Sequence, residues 1–133
     1  MLIALFTDIH ANREAFEACL AHVGRYPVDR FVFLGDSVGY GADPGFVVDT
    51  VRGFVERGAI ALLGNHDSAA TGTRERMNDE AALAIEWTRA QLDDSQRGFL
   101  AGLPLVAEED DRLYVHASAA EPAHWDDATG QKT

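Results

Sequence analysis

The chain has 133 residues, the length of one ordinary domain, and its 47% hydrophobic and 25% charged residues are usual for a globular protein. No apolar run approaches the ~20 residues of a membrane span, Met1 to Phe6 is too short for a signal peptide, and the lone Cys19 excludes an intrachain disulfide, so a cytoplasmic protein with no membrane partner is expected. A net charge of −11 without a Lys/Arg cluster excludes a nucleic-acid polymer as an expected ligand, and it would repel any anionic substrate unless cations at the site offset it.

The pattern alternates short apolar runs with helical periodicity. Leu2 to Phe6 reads as a strand, and Arg13 to Val23 as a helix with Ala15, Phe16, Cys19, Leu20 and Val23 on its core face, closed by Gly24. Cys19 is therefore assigned to packing. Phe31 to Leu34 is a second strand. Asp43 and Pro44 supply a capping carboxylate and a first-turn proline for a helix through Val47, Val48, Val51, Phe54 and Val55, stopped by Gly58. Ala59 to Leu63 is a third strand. Asn78 or Asp79 caps a helix through Ile85, Trp87 and Leu92, and a shorter helix runs from Ser95 to just before Gly102. Leu105 to Ala107 and Leu113 to His116 read as a hairpin across the acidic turn Glu108 to Asp111, and no periodicity follows Trp125. Strand, helix, strand, helix, strand predicts an α/β fold with a mostly parallel sheet flanked by helices. The first three strands, being unbroken apolar runs, are expected to be buried on both faces. Ligands of such sheets bind beyond the carboxyl ends of the strands.

Each strand ends in residues able to carry chemistry. After the first come Asp8 and His10, which converge if the chain stays extended, because residues two apart share a side. Taken alone, Asp-x-His arises by chance in loops. After the second, Gly35 lets the chain turn and Asp36 offers two oxygens, enough to bridge two cations. Taken alone, this is equally a glycine-rich turn with a capping aspartate. After the third, Asn65 offers a neutral amide oxygen, His66 a proton or hydrogen bond for a phosphoryl oxygen, and Asp67 a carboxylate that can orient the His66 ring. The same three residues also suit a polar turn and helix start. His116 ends the last apolar run. Four strand ends with Asp, Asn or His are much harder to produce by chance than one.

In this order, Asp8-Ile9-His10, Gly35-Asp36, Gly64-Asn65-His66-Asp67 and Val115-His116 resemble the motifs of the calcineurin-like metallophosphoesterase superfamily. Asp8 to Asn12 looks most like its small bacterial phosphodiesterases. The resemblance implies a sandwich of two sheets between helices and metal-dependent hydrolysis of a phosphomonoester or phosphodiester. In that reading Asp8 and His10 hold one metal, Asp36 bridges, Asn65 and His116 hold a second, and His66 acts on the leaving group. Asn12 and Asp67 support the site or the substrate. Two divalent ions are implied, from Mn, Fe, Co, Ni and Zn with Mn the first choice. Two such ions would clamp a phosphate ester and acidify a water for in-line attack.

The family's final Gly-His-x-His has no counterpart in this sequence, and His124 in Pro122-Ala123-His124-Trp125 has other neighbours and reads as a loop residue. Residues 1–133 therefore resemble the front part of such a domain. Each metal would lack one donor, and one sheet face would lie uncovered, available for association with a second copy. The alternative function is a non-catalytic binding or interaction module on the same fold. A response-regulator-like domain is set aside, because Lys132 is the only lysine and lies in the tail.

Overall fold

The computed structural model describes residues 1–72 and 79–125. Strands β1 (Ile3–Phe6), β2 (Arg30–Phe33) and β3 (Ile60–Ala61) form a parallel sheet in that order, with Ile3 opposite Arg30 and Val32 opposite Ile60. Helices α1 (Arg13–Val23) and α2 (Pro44–Glu56) make the crossovers. The Asn12 side chain caps α1 by accepting from the Ala15 N–H at 3.1 Å. Pro44 opens α2 as expected, but the Asp43 carboxylate makes no capping hydrogen bond. The chain is thus an α/β fold, as its sequence pattern predicts.

The two faces of the sheet are covered differently. On one, Phe6, Phe31, Phe33 and Ala61 pack against Phe16 and Leu20 of α1 and Val47, Val51 and Phe54 of α2. The rings of Phe6 and Phe33 lie 5.3 Å apart, and those of Phe6 and Phe16 5.6 Å apart. On the other, Ile3, Val32, Leu34, Ile60 and Leu62 meet Ala107 and Tyr114 of a separate antiparallel hairpin. Its strands are β4 (Val106–Glu109) and β5 (Arg112–Val115). Val32 and Leu62 are buried there, each stabilising the fold by about 1.5–3 kcal/mol relative to exposure. A third cluster joins α3 (Asn65–Ala70), α4 (Asp79–Gln91) and α5 (Asp94–Ala101) through Ala69, Ala70, Ile85, Leu92 and Leu100, against Val38 and Val48.

Several expectations are corrected. Strand β1 is not buried on both faces, because Leu5 is 59% exposed: the hairpin covers Ile3 and the central strands but not the open edge. Helix α1 buries only Phe16 fully, leaving Ala15 and Cys19 exposed, so Cys19 is not a core residue. Trp87 is 46% exposed, whereas Ile85 and Leu92 on the same stretch are buried. The hairpin turn is Asp110-Asp111 alone. Glu108 and Glu109 belong to β4, where Arg30 of β2 donates to Glu109 through Nε at 3.2 Å and pairs with it through Nη2. Helix α5 starts at Asp94 under a capping box in which Gln96 N–H donates to Asp93 at 2.7 Å and Asp93 N–H to Gln96 at 2.9 Å. Asn78, Lys132 and the stretch beyond Trp125 fall outside the described residues. No described helix is long and apolar enough to cross a membrane.

Candidate metal centre

Pairing between the first two strands continues past their ends as two irregular loops running side by side. Asp8 N–H donates to Gly35 O at 3.0 Å, His10 N–H to Asp36 O at 3.0 Å and Ala11 N–H to Ser37 O at 2.8 Å. The chain is not extended here, contrary to expectation: Asp8, His10, Ala11 and Asp36 all have positive φ, between 48° and 58°. Asp and His tolerate that region better than most residues. The turns still bring Asp8 and His10 together. At the third strand the backbones crowd. A Cβ on Gly64 would lie 2.2 Å from Asp36 Oδ1, so only glycine lets the start of α3 approach Asp36 this closely.

Two histidines are oriented alike. His10 donates Nδ1–H to Val38 O at 2.9 Å, and His116 donates Nδ1–H to Leu34 O at 2.8 Å, because a carbonyl can only accept. Each ring therefore turns Nε2 inward, as metal-ligating imidazoles do. His10 Nε2 lies 3.5 Å from Asp8 Oδ1 and 3.6 Å from Asp36 Oδ2, and His116 Nε2 lies 3.4 Å from Asp36 Oδ2. Asn65 Oδ1 is 3.1 Å from His116 Nε2. The donor atoms of Asp8, Asp36 and His116 all fall within 4.8 Å of one another. Two donors bound at about 2.0–2.2 Å to one ion lie ~3.0–3.6 Å apart at angles of ~90–110°, so the donor set fits a divalent cation. The Asn65 side chain also lies against the Asp36 carboxylate: with its amide turned it donates to Asp36 Oδ2 at 3.1 Å, and with its oxygen inward it offers a further donor atom to a cation.

The charges report the same crowding. Burial would lower the His116 pKa, but the hydrogen bond and charge of Asp36 outweigh it and push it up to about 9. Burial would raise the Asp36 pKa, yet His116 and the His66 backbone N–H, donated at 2.9 Å, hold it below the usual carboxylate range. Burial lowers the His66 pKa against the opposing pull of Asp36. The His66 Nδ1 is enclosed with no hydrogen-bond partner, and the ring touches His10 edge to face at 4.8 Å between centroids.

Asp67 does not orient the His66 ring. Its buried carboxylate accepts from the N–H groups of Asp36 at 2.8 Å, Val38 at 3.2 Å and Gly64 at 3.0 Å, tying the second and third loops together. Burial and then the charge of Asp36 push its pKa up to about 7 against those three bonds. Asp67→Ala would leave three buried donors unpaired, so a loss of roughly 3–5 kcal/mol is expected, read from the urea midpoint. An unchanged midpoint would show that the loops hold without it. Asn12 is engaged in capping α1, and His124 pairs with Glu121 at 2.8 Å. The sequence reading missed the carbonyls of Leu34 and Val38, which orient the two histidines, and it missed Tyr40, whose ring lies beside His10 and His66.

A parallel sheet with Asp, His and Asn beyond its strand ends, met by His116 from the hairpin, defines an α/β fold with a candidate divalent-metal site. The chain belongs to the calcineurin-like phosphoesterase family, whose pattern matches residues 1–133. It is 33% identical to an uncharacterized protein of Methanocaldococcus jannaschii over 131 residues, 94% of this chain and 53% of that protein. Among solved structures it is similar to a metallophosphoesterase from Sphaerobacter thermophilus, with a TM-score of 0.77 and 38% identity over 90% of this chain and 48% of the other. A hypothetical protein from Pyrococcus horikoshii shares the fold, with a TM-score of 0.84 at 18% identity over 96% of this chain and 58% of the other. The chain thus spans about half the length of the relatives it matches.

Proposed function

We propose that the chain hydrolyses phosphate esters, monoesters or diesters, at a centre of two divalent ions held by Asp8, His10, Asp36, Asn65 and His116. The observation that carries this is the matched pair His10 and His116, each pinned through Nδ1 to a backbone carbonyl so that Nε2 faces the Asp36 carboxylate between them. When bound, such ions supply charge neutralisation at the phosphoryl oxygens and a more acidic water for in-line attack. Asp36, set between the two rings, is the bridging ligand in this reading. His66 is kept neutral near pH 7 by burial, and its role is to donate a hydrogen bond to the phosphoryl or leaving oxygen.

Proton release provides a test. Without metal, the His116 proton sits on Nε2, because Nδ1 is already committed to Leu34 O. The folded pKa of about 9 lies above the unfolded value of about 6.5. The stabilisation by the Asp36 pair is therefore fully present below the unfolded value and is lost as pH rises through the folded one. A cation must displace that proton, so Mn²⁺ affinity should rise about tenfold per pH unit, roughly 100-fold from about pH 6 to about pH 8. Calorimetric titration measures this, and an affinity independent of pH would remove His116 from the ligand set. On the same preparation, hydrolysis of an aryl phosphodiester and an aryl phosphomonoester should require the added Mn²⁺. Bound metal with neither ester cleaved would make the chain a binding module instead.

A further inference from the structure

Tyr40 is not explained by packing. It is 56% exposed, yet it is held in a left-handed backbone conformation, φ 64°, that bulky side chains rarely adopt. Both neighbours are glycines that allow no side chain. A Cβ on Gly39 would lie 2.5 Å from His66 Nδ1, and one on Gly41 would lie 2.1 Å from His10 O. Gly41 N–H also donates to His10 O at 3.0 Å, fixing the loop to the backbone of a site residue. The phenol ring is thereby held 5.2 Å from the His10 ring and 4.9 Å from the His66 ring, centroid to centroid. Its remaining surface stands open at the rim of the donor cluster. Strained backbone is retained where surrounding contacts enforce it, and such positions concentrate at ligand sites.

Resting on the phosphoester reading above, we propose that Tyr40 is a specificity-determining residue whose ring stacks against a planar aromatic group, aryl or nucleobase, carried by the ester. The donor cluster recognises the phosphoryl group, which all phosphate esters share. An aromatic face beside it adds the discrimination that a charge cluster lacks. Stacking on an aromatic side chain tolerates any flat π system and strengthens binding roughly 5- to 100-fold per base.

The test compares adenosine 5′-monophosphate with ribose 5-phosphate, ligands that differ only in the base, by calorimetry on the full chain loaded with Mn²⁺. The parent should prefer the nucleotide roughly 5- to 100-fold. Tyr40→Ala should reduce that preference to within about twofold, and so should Tyr40→Gly, which suits the positive φ and removes the ring without strain. Tyr40→Phe should keep it. A parent that binds both ligands equally, or a glycine variant that retains the preference, would overturn the role of Tyr40 while leaving the phosphoester reading intact. A parent that binds neither ligand would overturn the role of Tyr40, and the phosphoester reading falls with it only if both aryl esters also go uncleaved.

Discussion

Alanine at His66 is expected to leave the metal content of the chain unchanged while lowering ester hydrolysis by ~10²–10⁴-fold. The geometry separates this ring from the proposed ligands. Asp8, His10, Asp36, Asn65 and His116 turn donors toward one another, whereas the His66 ring contacts the edge of His10 and its Nδ1 has no partner. What His66 gives to Asp36 comes from its backbone N–H, donated at 2.9 Å, and survives the substitution. Metal content and rate measured on one preparation decide the matter. Metal lost in step with rate would make His66 a ligand.

Asp36→Ala is expected to be the most damaging ligand change, reducing bound metal to traces and hydrolysis to background. Asp36 is 3% exposed, and its Oδ2 lies within 3.6 Å of both inward-facing imidazole nitrogens. No other described carboxylate pairs with both within 4 Å. Its removal also takes away the strongest of the influences that raise the His116 pKa and leaves burial, which lowers it, as the largest one, so that pKa should fall. Asp8→Ala should be milder, since the Asp8 side chain is half exposed and comes within ion-pair distance of His10, whereas it stands farther from His116. Elemental analysis of the three proteins tests the order. Equal metal in Asp36→Ala and the parent would refute the bridging role.

Much of the fold is legible in the sequence. The runs Leu2 to Phe6, Phe31 to Leu34 and Ala59 to Leu63 are apolar because they cross the core, and the polar residues ending each run mark where the chain leaves it. The convergence of Asp8, His10, Asp36, Asn65 and His116 followed from that pattern. What sequence could not show is carried by the backbone. The carbonyls of Leu34 and Val38 orient two histidines, and any residue at those positions would present the same oxygen. The left-handed turns at Asp8 and His10 replaced an expected extended segment, since a short loop can bring two side chains together in more than one way. Asp67 looked like a partner for the neighbouring ring, but three backbone donors from two loops hold its carboxylate instead. Leu5 reads as core by composition. Its exposure depends on how far the hairpin reaches, a property of distant residues.

The hairpin has a consequence for how the centre comes together. Asp8, His10, Asp36 and Asn65 follow the three parallel strands, but His116 follows β5, in a sheet that pairs with itself and, among the described residues, meets the first through side chains, the Arg30–Glu109 pair included, while Leu63 N–H donates to Pro104 O at 2.9 Å just ahead of β4. Any local opening that lifts the hairpin withdraws His116 from Asp36 and breaks its bond to Leu34 O in the same movement. In the proposed centre, completing the ligand set and docking the second sheet are therefore one equilibrium seen from two ends. By thermodynamic reciprocity, a cation held partly by His116 fastens the hairpin by the same free energy with which the docked hairpin tightens the cation.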